Sequence, residues 1–193
     1  LLLSKSIADH IKIKEYEQIY EKVVYRENEG NTYLGYGVAC PHARTKEEGE
    51  LECAIGWSRS GIVYSKQESS LARIVILYYV PDNRSNEYLH EISCLARILD
   101  RNKELYYFNN LIDSEDTRTR LLEWIDSKLI NSVVEIRQNF DPKSDYMQFT
   151  QFLLPEIIEL IRNNRLNILR VYLMEQTAPD IAELIRAIPD KNH

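Results

Sequence analysis

Apolar positions along the chain follow two periods, and the change from one to the other sets out the predicted architecture. Tyr16, Ile19, Tyr20 and Val23 recur at three and four, predicting a helix that carries Arg26 at its end. Leu2, Leu3, Ile7 and Ile11 give residues 1–11 a similar apolar face. Residues 51–57 and 62–64 are strand-like, and Ser58-Arg59-Ser60-Gly61 between them reads as a hairpin-type turn. Residues 71–80 are nearly continuous in Ile, Val, Leu and Tyr, as expected of a strand buried on both faces, and Pro81-Asp82-Asn83 stops it. A helix over residues 85–102 follows, with Leu89, Ile92, Leu95, Ala96 and Leu99 as its buried stripe. Residues 103–110 and 114–130 read as two more helices, the second capped by Ser114. From residue 144 the period is helical throughout. Phe149, Phe152, Leu153, Ile157, Leu160 and Ile161 mark one helix, and Leu166, Leu169, Val171 and Leu173 mark a second. A third follows Thr177, which forms a capping box with Asp180 around Pro179. The pattern predicts an α/β domain over residues 1–128, a small mixed β-sheet flanked by helices. A linker at 129–143 and an all-helical C-terminal segment at 144–193 complete the expected order.

Composition narrows the function classes. A chain of 193 residues with 44% hydrophobic and 28% charged content holds one good domain, or one with an appendage. A net charge of −6 without a Lys/Arg cluster argues against nucleic acid. Cys40, Cys53 and Cys94 lie in apolar runs with no Cys-x-x-Cys pair, so they read as reduced core thiols of a cytoplasmic protein. No apolar run approaches the roughly 20 residues that span a bilayer, so a membrane enters only through an attached part. The chain opens on Leu1, and the expectation is a fragment of a longer protein, such as the cytosolic part of an inner-membrane protein.

The candidate chemistry lies in residues 26–44. Gly30, Gly35 and Gly37 are three of six glycines, and they permit a tight loop ahead of the apolar Val38-Ala39-Cys40. Pro41 cannot donate to a ladder, so the strand is expected to end there, presenting His42 just past it with Arg44 beside it and Arg26 upstream. Imidazole is a nucleophile near neutral pH, guanidinium matches phosphate oxygens, and free loop amides solvate anions. Together they suit a phosphoryl group. A lone histidine after proline, judged by itself, is more often just a satisfied or exposed side chain.

The spacing of the stretch resembles the signature of enzyme IIA domains of the bacterial sugar phosphotransferase system, in the fructose/mannitol/nitrogen-regulatory class. The matching residues are Arg26-Glu27, Thr32, Gly35 and Gly37-Val38-Ala39-Cys40-Pro41-His42. The resemblance implies that His42 is the phosphoacceptor and Arg26 its phosphate-binding partner. Thr32, Gly35, Gly37 and Arg44 would complete the phosphate site. It also implies a phosphotransferase working without metal or organic cofactor, with an HPr-like phosphocarrier protein as donor and a IIB-like unit as acceptor. Expected sites of this kind are solvent-reachable.

Two features depart from that pattern. The family's second active-site histidine falls on Tyr88 here, and His90 lies about 200° around the helix from it. Tyrosine can hydrogen-bond a phosphoryl oxygen but does not titrate near neutrality, so Tyr88 is expected beside His42 and His90 elsewhere. Further on, residues 165–189, especially Ala178-Pro179-Asp180-Ile181-Ala182-Glu183-Leu184, resemble the opening of the cytosolic N-terminal domain of MgtE-type magnesium transporters. That resemblance implies a second function class, a regulatory module attached to a transporter of magnesium or another ion. A third reading, a divalent-metal binder through the acidic loop 47–52, is weak because such loops face water.

Overall fold

Strand β5 (Ser70–Pro81) runs through the middle of a five-stranded sheet, hydrogen-bonded on both sides. The structure is a computed structural model that describes residues 2–12, 16–35, 37–65, 70–101, 119, 123 and 146–188. Helices α1 (Leu2–Ile11) and α2 (Tyr16–Glu29) precede the short strands β1 (Tyr33–Gly35), β2 (Val38–Ala39) and β3 (His42–Thr45). Strand β4 (Glu52–Ser65) leads to β5, a 3-10 turn (Asp82–Arg84) and helix α3 (Ser85–Arg101). Helices α4 (Tyr146–Arg162), α5 (Leu166–Met174) and α6 (Ala178–Ala187) close the described chain. The helices expected at 103–110 and 114–130, and the linker, lie outside the described residues, apart from helical Thr119 and Glu123. Among the described residues, no helix is long and apolar enough to cross a membrane.

Alternation along β5 assigns the two faces of the sheet. Ile74, Ile76, Tyr78 and Val80 join one core with Tyr88, Leu89, Ile92 and Leu95 of α3. Leu77 and Tyr79 join the other with Ile7 and Ala8 of α1, Ile19 of α2, and Ala43. The result is a three-layer arrangement of helices, mixed sheet and helices. The C-terminal helical segment does not stand apart from it. Leu153, Ile157 and Leu160 of α4, Tyr172 of α5 and Leu184 of α6 complete the core on the α3 side.

Three sequence expectations are corrected here. The strand ends ahead of Pro41, as expected, but His42 is not left past the sheet, because it opens the next strand. Val38 pairs with Ile74 and His42 with Tyr78 in parallel, at one unchanged offset, so β2 and β3 are a single line along β5. Pro41 lacks a donor but its carbonyl accepts from the Tyr78 amide at 2.9 Å, which the sheet edge tolerates. Nor is there a hairpin at residues 58–61. β4 stays antiparallel to β5 on both sides, Trp57 opposite Ile74 and Ile62 opposite Ala72, and the extra residues bulge out with Gly61 at φ 76°. Cys53 is also exposed rather than a core thiol, whereas Cys40 is buried, and burial pushes its thiol well up.

Candidate functional site: an occupied anion clamp

Because side chains alternate along β3, His42 and Arg44 point to the α3 face while Ala43 turns to the α1–α2 core. His42 lies against Tyr88 in the first turns of α3. The Tyr88 hydroxyl is 2.9 Å from His42 Nδ1, and the rings are 5.0 Å apart at 44°. Tyr78 meets the Tyr88 ring edge-on at 5.3 Å, and the Arg44 guanidinium lies 5.4 Å over it. Tyr88 is fully buried, and that burial holds its hydroxyl well above the ordinary phenol range. His90 points away and pairs with Glu175. The Tyr88 contact fixes which face of the imidazole is free, since Nε2 looks away from α3.

Arg26 arrives from the other helical layer, in the last turn of α2. Its Nη1 donates to the Gly30 carbonyl at 2.9 Å, which steers the guanidinium back over its own helix end. Arg44 Nη1 donates to Ser85 Oγ at 3.1 Å. The two guanidiniums and His42 Nε2 converge on one point, and a carboxylate fills it. Glu156 of α4 accepts from Arg26 Nη2 on Oε1 at 2.5 Å and from Arg44 Nη2 on Oε2 at 2.9 Å, with His42 Nε2 3.3 Å from Oε2. Glu159 stands one turn on, 3.7 Å from Arg26 Nε and 3.5 Å from Arg44 Nε. Burial alone would raise the Glu156 carboxyl, but His42, Arg44 and Arg26 outweigh it and hold it well below the usual carboxylate range. Glu159 is lowered against the same burial by His42, 4.0 Å away, and by Arg44.

The expected solvent-reachable histidine is therefore covered: the His42 side chain is only 1% exposed. A cleft of about 440 Å³ reaches it from the α2 side, past Lys22, Tyr25, Arg26, Arg44, Glu159 and Arg162. Thr32, Gly35 and Gly37 do not line that cleft. Thr32 Oγ1 bonds Glu27 and lies 3.1 Å from the Tyr64 hydroxyl, and the Gly37 amide donates to the Tyr33 hydroxyl at 2.9 Å. Gly35 and Gly37 hold φ of 88° and 81°, so their role in the described structure is the turn from β1 to β2.

Glu156 and Glu159 escaped the sequence reading, though a signal was there. Glu156 falls on the stripe formed by Leu153, Ile157 and Leu160, and a carboxylate on a buried stripe needs a cationic partner. With His42 they also form a donor cluster whose ligand atoms lie within 4.8 Å of one another, the spacing of a metal site. Two guanidiniums already neutralise those carboxylates, so the cluster suits an anion in the Glu156 position better than a cation beside it.

Comparison with known proteins bears on the family of the chain rather than on this geometry. The family model for the phosphoenolpyruvate-dependent sugar phosphotransferase system, EIIA 2, matches residues 2–124. The fructose-specific EIIABC component of Bacillus subtilis (strain 168) is 28% identical over 90 residues, 47% of this chain and 14% of that protein. The fructose-specific EIIA component of Haloferax volcanii is 24% identical over 123 residues, 64% of this chain and 71% of that protein. Among solved structures, the nitrogen regulatory protein IIA-Ntr from Neisseria meningitidis aligns with a TM-score of 0.47 and 23% identity, over 59% of this chain and 73% of that one. The chain thus spans a small part of the fused relative and most of the single-component one. On the match over residues 2–124, the chain belongs to the EIIA 2 family of the phosphotransferase system.

Proposed function

We propose that His42 Nε2 accepts a phosphoryl group from an HPr-like phosphocarrier and passes it to a IIB-like acceptor or holds it as a signal. One observation carries this reading: Arg26, Arg44 and an imidazole nitrogen converge on a single buried anion position. In the step itself the Nε2 lone pair forms the new N–P bond while the donor's P–N bond breaks and the electron pair returns to the donor imidazole. Nε2 must be unprotonated, which places the ring proton on Nδ1, where the Tyr88 hydroxyl accepts it. Arg26 and Arg44 neutralise charge on the transferring oxygens, and in-line positioning does the rest. The two relatives named above are fructose-specific by name; the carrier chemistry is carried over here, and the sugar is not.

Incubation with phosphoenolpyruvate, enzyme I and HPr should label the chain on His42, and His42→Ala should abolish the label. Label that persists in that variant would move the acceptor elsewhere. Tyr88 offers a second test, because it stands where the family places a second histidine. Tyr88→His should accelerate uptake about ten- to a hundredfold, the worth of one hydrogen bond to a charged group. Equal initial rates in the two proteins would remove Tyr88 from the transfer step.

A second reading is a cytosolic regulatory module of a magnesium or other ion transporter, supported by the resemblance at residues 165–189. The observation that favours it is that the C-terminal helices reach the phosphoacceptor site through Glu156.

A further inference from the structure

Glu156 is costly where it stands. A carboxylate 1% exposed on a helix face otherwise packed by Leu153, Ile157 and Leu160 must be paired, and its partners are not on its own helix. They are the residues assigned above to the phosphate. A phosphoryl group on Nε2 would present its oxygens to the same two guanidiniums that now hold Oε1 and Oε2. The fit of the carboxylate is incomplete. His42 Nε2, Arg26 Nε and Arg44 Nε are buried and left without a hydrogen bond. The two guanidinium Nε–H groups face Glu159 at 3.7 and 3.5 Å without bonding it, and Nε2 is the nitrogen that would carry the phosphoryl group, so the seat suits a group with more oxygens and more charge than Glu156 supplies.

The seat is also mechanically defined. Pro155, inside α4, packs on Gly30, where a Cβ would lie 3.6 Å from Pro155 Cβ and 3.7 Å from Arg26 Nη1. The end of α2 and the turn of α4 that carries Pro155 are thus packed side by side, and the next residue, Glu156, enters the clamp.

We propose that α4 is an internal antagonist of the phosphoacceptor site: Glu156 occupies the phosphate's place, and α4 must lift before His42 can be phosphorylated. The two anions compete for Arg26 and Arg44, so docking of α4 and phosphorylation of His42 exclude each other. Linkage makes this reciprocal, so phosphorylation drives α4 off the clamp as strongly as α4 opposes phosphorylation. The inference rests on the reading of His42 as phosphoacceptor, and its test separates the two.

The full chain is used throughout, because α4–α6 share the core of the sheet. Glu156→Gln keeps the volume and removes the charge, and it should raise the rate of His42 labelling at least about tenfold by enlarging the open fraction. Gly30→Cys with Pro155→Cys, on a Cys53→Ser background, places two Cβ atoms at disulfide distance across the seat. Oxidation should suppress labelling and reduction should restore it. Acylation of His42 by diethyl pyrocarbonate, mapped by mass spectrometry against exposed His10, gives a readout that needs no phosphoryl donor. It should rise in Glu156→Gln and fall on oxidation. If His42 acylation responds in this way while no form is ever phosphorylated, the antagonist stands and the carrier reading falls. If labelling and acylation are the same in wild type, Glu156→Gln and the oxidised pair, the antagonist is overturned and the carrier reading survives. Should Glu156→Gln fail to fold, the oxidised and reduced pair decides alone.

Discussion

Leu153→Ala should destabilise the whole protein by about 2–5 kcal/mol, the range for emptying a buried leucine site. Leu153 is 0% exposed and belongs to one cluster with Ile74, Ile76 and Val80 of the central strand and Leu89 and Ile92 of α3. Its loss therefore opens a cavity between α4 and the sheet rather than within a separate helical appendage. Urea denaturation followed by the fluorescence of Trp57, which packs against the same cluster, on a Trp124→Phe background, should show one transition at a lower midpoint with an unchanged slope. Leu166→Ala is the control. Leu166 is 53% exposed at the start of α5, so its truncation should change stability by no more than about 0.5 kcal/mol. If Leu153→Ala shifts a helical transition while the Trp57 signal keeps its wild-type midpoint, α4 unfolds independently of the sheet. The three-layer core would then be two cores.

The fold was largely legible because its strongest signals are local. The apolar run at residues 71–80 could only be a doubly covered strand, and the Thr177–Asp180 box placed the start of α6 within one residue. What failed was punctuation. Ser58–Gly61 has turn chemistry, yet pairing with β5 on both sides holds β4 together and turns the insertion into a bulge. Pro41 follows the end of β2 as a strand terminator should, yet its carbonyl keeps the register with β5, and β3 resumes at once with His42 inside the sheet. The site divides in the same way. His42, Arg26, Arg44 and Tyr88 could be named because the motif has a fixed spacing, and the structure brings those four together. Their partner lies 130 residues from Arg26 along the chain, and no spacing rule connects the two. Only the misplaced charge on the α4 stripe pointed to it.

Arg26→Met should cost about 3 kcal/mol, near the lower end for removing one partner of a buried ion pair. Arg26 is 7% exposed, and its loss leaves Glu156 Oε1 and the Gly30 carbonyl without their donor. Arg44 and His42 still face the carboxylate, which keeps the cost from the top of the range. Glu156→Leu should cost a similar amount, since it strands Arg26 and Arg44 together. The double variant should then be more stable than the sum of the two losses by about 1–3 kcal/mol, because apolar side chains of like volume need no compensating charge. Acid gives the network a second readout. The groups facing Glu156 are Arg26 from α2, His42 and Arg44 from β3, Tyr88 from α3 and Glu159 on its own helix. Its folded pKa is depressed, so its contribution is fully present above the unfolded glutamate value near ~4.3 and is lost as pH falls towards the folded value. The wild type should accordingly lose more stability than Arg26→Met/Glu156→Leu when urea midpoints are compared between pH 7 and about pH 3. Strictly additive losses at pH 7, with parallel acid profiles, would mean that Arg26 and Glu156 meet without holding the fold together.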